Sequence, residues 1–318
     1  MTIIYRNYQP GDEKQIVKTW NECLSADPIT LKRFRNLILL DANFDEEGLI
    51  LAFNNDELIG AIFGVVRKIP LHGDDLEKEN GWISFFFVKE EMRSKGVGHE
   101  LMVRMQQFYE KRERKNIFFS SYAPNYIVPG IDVDNYKEGK VFLEKEGFER
   151  LYSACAMDYS LVNFKLNDEI SRLKEEREQE GYIFRNATSA DVVEAVQFAN
   201  DLFNPDWGRA IREGLVHGAP LSNLIIARDP QGKLVGFCIY GCYEGIQERF
   251  GPFGVDPSIR GKGLGKILLN ICLLQMRAEG LHNAWFLWTG EKTPAGYLYK
   301  KTGFEITREF DIMRKTLK

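Results

Sequence analysis

The feature that most restricts how this 318-residue chain folds is that it carries one order of short segments twice. Arg6-Asn7 returns as Arg185-Asn186, and Glu57-Leu58-Ile59-Gly60 as Lys233-Leu234-Val235-Gly236. Arg93-Ser94-Lys95-Gly96-Val97-Gly98 returns as Arg260-Gly261-Lys262-Gly263-Leu264-Gly265, and Glu146-Gly147-Phe148-Glu149 as Thr302-Gly303-Phe304-Glu305. The offsets fall steadily, 179, 176, 167 and 156, because the loops of the first copy are longer. Four matches in one order mean two copies of one domain. The expected layout is a first domain over 1–161, a connecting helix within 162–180 and a second domain over 181–318.

Each copy reads the same way. A β-like start (3–5; 182–184) leads to a helix opened by Asp12, or by Ser189-Ala190-Asp191. A hairpin follows, 49–66 around Asn54-Asn55-Asp56, or 224–240 around Asp229-Pro230-Gln231-Gly232. Then come a short strand, a glycine turn and an apolar-periodic helix, a further apolar segment (117–121; 284–288), and a last helix ending in Gly-Phe. Strands that begin antiparallel and are then separated by helices predict an α/β (α+β) fold. It consists of two tandem domains, each a mixed, mostly antiparallel sheet flanked by helices. Between the copies, 168–177 carries only Ile170 and Leu173 as apolar residues, so a solvated helix is expected there.

Composition serves mainly to exclude. A net charge of -4 and a pI near 5.8 give no footprint for nucleic acid or an anionic membrane. The N-terminus lacks the apolar core of a signal peptide, and the apolar runs 82–88 and 267–276 are too short to span a bilayer. Five cysteines, each in an apolar segment, read as buried free thiols, so a cytoplasmic protein is expected. The four histidines lie apart from one another and from any cysteine pair, and no metal site is expected.

The second glycine turn carries the chemistry. Phe253 and Val255 end a β-like segment, Asp256-Pro257 turns it, and the turn runs straight into the helix Ile267-Leu268-Ile271-Leu274. Free N–H groups at a helix start, glycines that admit close approach, and Arg260, Lys262 and Lys266 together make an anion site. A Walker loop would need Gly at Arg260 and Ser or Thr at Ile267; a dinucleotide fingerprint would need a third glycine at Lys266 or Leu268. What remains is Arg-x-x-Gly-x-Gly after a strand ending Val-x-Pro. It resembles the pyrophosphate-binding motif of the GNAT superfamily of acetyl-CoA-dependent N-acetyltransferases. The element order of both copies is similar to the GNAT domain, so the resemblance covers nearly the whole chain. Its tandem layout is similar to that of the mycothiol synthase and amino-sugar acetyltransferase families.

The resemblance implies acetyl-CoA as donor and a primary amine of a small molecule as acceptor. It implies that Phe253, Gly254 and Val255 offer backbone N–H groups to the acetyl and pantetheine groups. The diphosphate would fall to Arg260, Gly261, Lys262, Gly263, Leu264, Gly265 and Lys266. Val88, Arg93, Gly96 and Gly98 match as a second cofactor site. Gly251-Pro252 and Gly254 suit a strand opened for a ligand. The family's proton donor, a tyrosine four residues before the Gly of Gly-Phe, falls on Tyr299. Ala295 also fits, but Lys292 stands where the family often has Asn. The same count from Gly147 reaches Leu143, which cannot protonate a thiolate. Chemistry is therefore expected in the second domain, and the first is expected to be a degenerate partner that still binds CoA. Glu248 is the expected base, with Glu244 and Asp206 as rivals. Asp206, Trp207 and Trp288 are expected on the acceptor side, and the loop 129–136 is expected to face the other domain. No cysteine sits at the motif, which favours direct attack in a ternary complex. A non-catalytic CoA-binding protein, and an acetyltransferase acting on protein lysines or N-termini, are the alternatives at this point.

Overall fold

A computed structural model of the chain describes residues 2–317. The first half runs β1 (Ile3–Asn7), α1 (Glu13–Cys23), the single turn α2 (Leu31–Phe34), β2 (Leu49–Asn54), β3 (Glu57–Val65), β4 (Asn80–Val88) and α3 (Val97–Glu110). It continues with β5 (Asn116–Phe119), the two-residue β6 (Ile131–Asp132), α4 (Lys137–Lys145) and β7 (Glu149–Ser160). The second half runs α5 (Asp168–Gln179), β8 (Ile183–Asn186), α6 (Val192–Leu202), α7 (Pro205–Val216), β9 (Ile225–Arg228) and β10 (Leu234–Tyr240). It ends with β11 (Phe250–Val255), α8 (Leu264–Ala278), β12 (Asn283–Thr289), α9 (Pro294–Thr302) and β13 (Glu305–Thr316). Both predicted hairpins form, as β2–β3 and β9–β10.

Contacts divide the chain into two compact units, 1–154 with 309–318, and 155–308. This differs from two consecutive domains joined at 162–180. Its cause is the pair of long strands after each Gly-Phe, which the element reading ends before. Residues 309–316 of β13 return to the first unit and pair antiparallel with β5, from Met313 opposite Phe119 to Thr316 opposite Asn116. Residues 155–160 of β7 serve the second unit, pairing with β12 from Asn283 opposite Ser160 to Thr289 opposite Cys155. Helix α5 belongs to the second unit and lies on α8 and β8. It is not merely solvated: Ile170 is buried, and Leu173 packs on the glycine turn at Gly263.

In the first unit the order is β1-β2-β3-β4-β5, antiparallel until β4 and β5, which run parallel. Strand alternation sends Leu49, Leu51, Phe63 and Phe85 to one face, against Trp20 of α1. Ile50, Ile62 and Ile83 go to the other, against Met102 and Met105 of α3. Four strands of the second unit are ordered β8-β9-β10-β11.

The repeated Arg-Asn pair has the same physical role in both units. Arg6 grips Asp12 with two bonds of 2.7 and 2.8 Å, and Arg185 grips Asp191 with two of 2.8 and 2.9 Å. The adjacent asparagines donate to Glu47 O at 2.8 Å and Ser222 O at 2.6 Å. Each arginine thus ties the first strand to the start of the following helix, and each asparagine ties it to the segment before the hairpin. Asp12 therefore does not cap α1 with its side chain; its carboxylate goes to Arg6 and the Gln9 N–H. Asp191 does more, closing a capping box with Thr188 and also receiving Arg228 at 2.7 Å. The Arg185 guanidinium, aided by Arg228, holds the Asp191 carboxyl far below the usual carboxylate range against the opposing effect of burial.

Candidate functional site

The site begins where a sheet opens. In the first unit β4 and β5 stay paired only from Asn80 opposite Asn116 to Ile83 opposite Phe119. The last link is Ser120 N–H donating to Ile83 O at 2.8 Å. Ser120 then takes a left-handed φ of 64° and the chain turns away, while β4 continues along β3 to Val88. Ser84 is the first residue past the parting. Arg93 ties the end of β4 to α4, with Nε donating to Val88 O at 3.3 Å and Nη1 to Glu138 at 3.0 Å. Gly96 caps α3 at a φ of 84°, and a Cβ there would meet nothing within 4 Å. The first turn of this 14-residue helix has N–H groups without helical carbonyl partners.

A cavity of about 1140 Å³ occupies this opening. Val88, Arg93, Gly96 and Gly98, the expected second cofactor set, all line it. It reaches both faces of the sheet, since Trp20 and Asp27 line it from the α1 side and Phe142 and Leu143 from the α3 side. Ser84 lines it too; this residue is 3% exposed, and its hydroxyl has no hydrogen-bond partner among the described residues. The loop 129–136, expected to face the other domain, instead supplies Ile131 and Tyr136 to this cavity, and Tyr136 Oη donates to Asp27 at 2.9 Å. Cys23 is also on the wall. Burial pushes its thiol up to about 11, so it stays protonated near neutrality and is a poor nucleophile.

The second unit repeats the elements with different surroundings. β11 and β12 share one parallel bridge, Arg249 with Trp285, and then part. Gly263 caps α8 at a φ of 78°, but a Cβ there would lie 2.7 Å from Leu173 of α5. A cavity of about 720 Å³ lies between α5 and the turn, lined by Gly261, Lys262, Gly263 and Lys266 from the expected set. Two of these cations are engaged: Lys262 Nζ donates to Tyr182 Oη at 2.7 Å, and Lys266 lies 3.5 Å from Glu169. Arg260 is exposed, Leu264 is buried under the turn, and Gly265 lies against Phe253 and Leu298.

Tyr299 stands between the parted strands. Its ring is 4.5 Å from Phe286 of β12 and 6.2 Å from Phe253 of β11, and the residue is 7% exposed. Burial, with the Cys238 and Cys272 thiols behind it, pushes the phenol well above its ordinary pKa, so it is a proton carrier at neutral pH. The other expected residues do not gather round it. Glu248 precedes β11, at the end away from the turn, and its Oε1 accepts the backbone N–H groups of His282 (3.1 Å) and Asn283 (3.2 Å). Glu244 pairs with Arg249 at 2.9 Å. Asp206 is buried, 2.8 Å from Arg209, and accepts from Tyr243 Oη at 3.2 Å. Burial pulls the Arg209 guanidinium down, but Asp206 and Glu213 more than offset it. Trp207 stacks on Phe203 at 5.0 Å, and Phe203 fills the space that Gly254 leaves, 2.5 Å from where a Cβ would be. Gly254 therefore admits an aromatic ring, and Trp207 is core-side packing. Val255 and Trp288 are half-buried on β11 and β12.

Sequence reading missed Ser84, Asp27, Tyr136 and Leu173. The repeat held a signal for one of them: the offset of 167 that matches the two turns sets Ser84 against Gly251, a hydroxyl at the parting in one copy alone. Nothing in the sequence marks Asp27 and Tyr136 as neighbours, since 109 positions separate them.

Two family models match the chain: residues 13–126 match the "Acetyltransferase (GNAT) family" and residues 220–306 the "Acetyltransferase (GNAT) domain". The chain belongs to the GNAT acetyltransferases, with two such domains in tandem. A mycothiol acetyltransferase of Saccharomonospora viridis is 35% identical over 95 residues, which are 27% of this chain and 31% of that protein. Another, from an Arthrobacter species, is 29% identical over 125 residues, 37% of this chain and 33% of that protein. These matches span about a third of the length of the curated relatives. Among solved structures, the glucosamine N-acetyltransferase region of a fungal multi-domain β-N-acetylglucosaminidase shares the fold. It has a TM-score of 0.82 and 18% identity, covering 98% of this chain and 38% of that one. A tandem GNAT protein of the clavulanic acid pathway matches with a TM-score of 0.65 and 14% identity, covering 99% and 98%. Among the described residues no helix is long and apolar enough to cross a membrane, and no cluster of His, Cys, Asp or Glu is fit to hold a metal ion.

Proposed function

We propose that the chain transfers acetyl from acetyl-CoA to a primary amine of a small molecule, by direct attack within a ternary complex. The observation that carries this is the first unit's cavity, which starts at the glycine turn and reaches the opposite face of the sheet. A site open from both faces lets donor and acceptor be present together, so no covalent relay is required. The protonated state of Cys23 agrees with that. The volume is near the upper end of the range that small-molecule sites have.

In the second unit the proposed donor to the leaving thiolate is Tyr299, which holds its proton and stands between the parted strands. Incubating the protein with acetyl-CoA and a panel of primary amines, with liberated thiol as the readout, tests the reaction. Tyr299→Phe tests the second unit's share. Transfer that depends on Tyr299 falls by about 100-fold, with CoA affinity kept. An unchanged rate removes Tyr299 from the chemistry.

A further inference from the structure

The first unit lacks the expected tyrosine, yet it holds the roomier cavity, and the groups at its narrow point are of the kinds that acyl transfer needs. Ser84 is the first residue beyond the last β4–β5 pair, at the apex of the opening. Its hydroxyl is buried without a partner among the described residues, an arrangement that is unfavourable unless a ligand supplies the missing bond. Across the opening, Tyr136 packs against the α3-side core while its hydroxyl reaches Asp27, which follows α1 on the other face. That bond joins two residues of the cavity wall. Asp27 lines the cavity together with Glu22, which Lys89 engages at 3.2 Å, and Glu138, which Arg93 engages at 3.0 Å.

We infer that the first unit is itself a transfer site: Ser84 donates to the thioester oxygen, and the Asp27–Tyr136 pair receives a small amine that is cationic in solution. This rests on the acetyl-transfer reading above. The ammonium gives one proton to Asp27. The neutral nitrogen attacks the thioester carbon, a C–N bond forms, and the carbonyl electron pair moves onto oxygen, where the Ser84 O–H meets it. The C–S bond then breaks with its electron pair on sulfur. The nitrogen's second proton passes to that sulfur, leaving an amide and the free thiol of CoA, and Asp27 returns its proton to water. Leu143, which lines the same cavity, takes no part.

The test uses the full chain, acetyl-CoA, and putrescine, glucosamine and tyramine as amines, with thiol release as the readout and CoA calorimetry as the control. Ser84→Ala is expected to lower kcat by about 100-fold with CoA affinity unchanged, while Ser84→Thr, which keeps the hydroxyl, retains most of the rate. Asp27→Asn is expected to lower kcat, since the amide cannot take the ammonium proton, and to raise the KM of the amine by about tenfold, the loss of one charge-assisted contact, without changing the KM of acetyl-CoA. Tyr136→Phe should raise the amine KM more weakly. Rates within twofold of the unaltered chain for both Ser84→Ala and Asp27→Asn overturn the inference. If Tyr299→Phe alone abolishes release, the chemistry lies in the second unit, so acetyl transfer stands and this inference falls. Thiol release with none of the three amines sinks both.

Discussion

The two glycine turns begin from the same spacing and end in different surroundings. At Gly96 a side-chain atom would meet open space; at Gly263 it would strike Leu173. The first turn opens into the larger cavity, and the second is overlaid by α5, whose Glu169 and neighbouring Tyr182 engage its lysines. The apex differs as well: an unpartnered serine in one unit, a glycine followed by proline in the other. The tyrosine between parted strands is present only in the second. A motif therefore specifies a local backbone geometry, while the elements laid over it decide what can reach that geometry.

The sharpest way to break the comparison is to remove residues 309–318. Phe310, Ile312 and Met313 are buried, and burying three such side chains contributes about 6 kcal/mol, a large part of a domain's stability. Calorimetry of the truncated chain should show the transition of the first unit lost and that of the second retained. Loss of the second transition instead would mean that the strand does not serve the first unit alone.

A smaller effect separates the two aspartates. Asp191→Asn weakens a buried carboxylate held by two arginines and is expected to cost about 3 kcal/mol. Asp12→Asn, with one arginine, is expected to cost about 1 kcal/mol. Burial pushes the Asp12 carboxyl up, but Arg6 and the Gln9 N–H outweigh it, so both aspartates are held low in the folded chain. Their contribution is therefore full above the unfolded value of about 4 and is lost as pH falls below it. Urea midpoints at pH 6 and pH 3 should drop more in the unaltered chain than in Asp191→Asn; parallel drops would refute the assignment.

The smallest contrast lies in the turns themselves. Gly96→Ala bears only the left-handed backbone penalty, about 1 kcal/mol, whereas Gly263→Ala adds the clash with Leu173 and should cost about 2–3 kcal/mol. Equal costs by urea unfolding would mean that α5 yields freely.

Much of the element order was legible, because hairpin turns, glycine caps and apolar periods are local signals. β2–β3 and β9–β10 formed as read, and both turns opened helices. The long strands after Gly147 and Gly303 were not read, and with them went the exchange of residues 155–160 and 309–318 between units. Their four-residue buried runs resemble any short apolar stretch, and pairing partners more than a hundred positions away leave no trace in a window of ten. Among the candidate site residues, Tyr299 and Phe253 were found together. Glu248 was chosen as a carboxylate base and Trp207 for stacking, and the structure gives them a backbone cap and a stacked phenylalanine.

By itself the sequence determined that there are two copies and that each ends a strand in a glycine-capped helix. Those properties follow from short-range sterics and hydrogen bonding, which a few adjacent residues settle. Only the tertiary structure decided which turn lies open, that Ser84 is left unpartnered, and that Asp27 meets Tyr136. Such matters turn on which distant side chains arrive in the same few ångströms, and that is set by the packing of the whole unit.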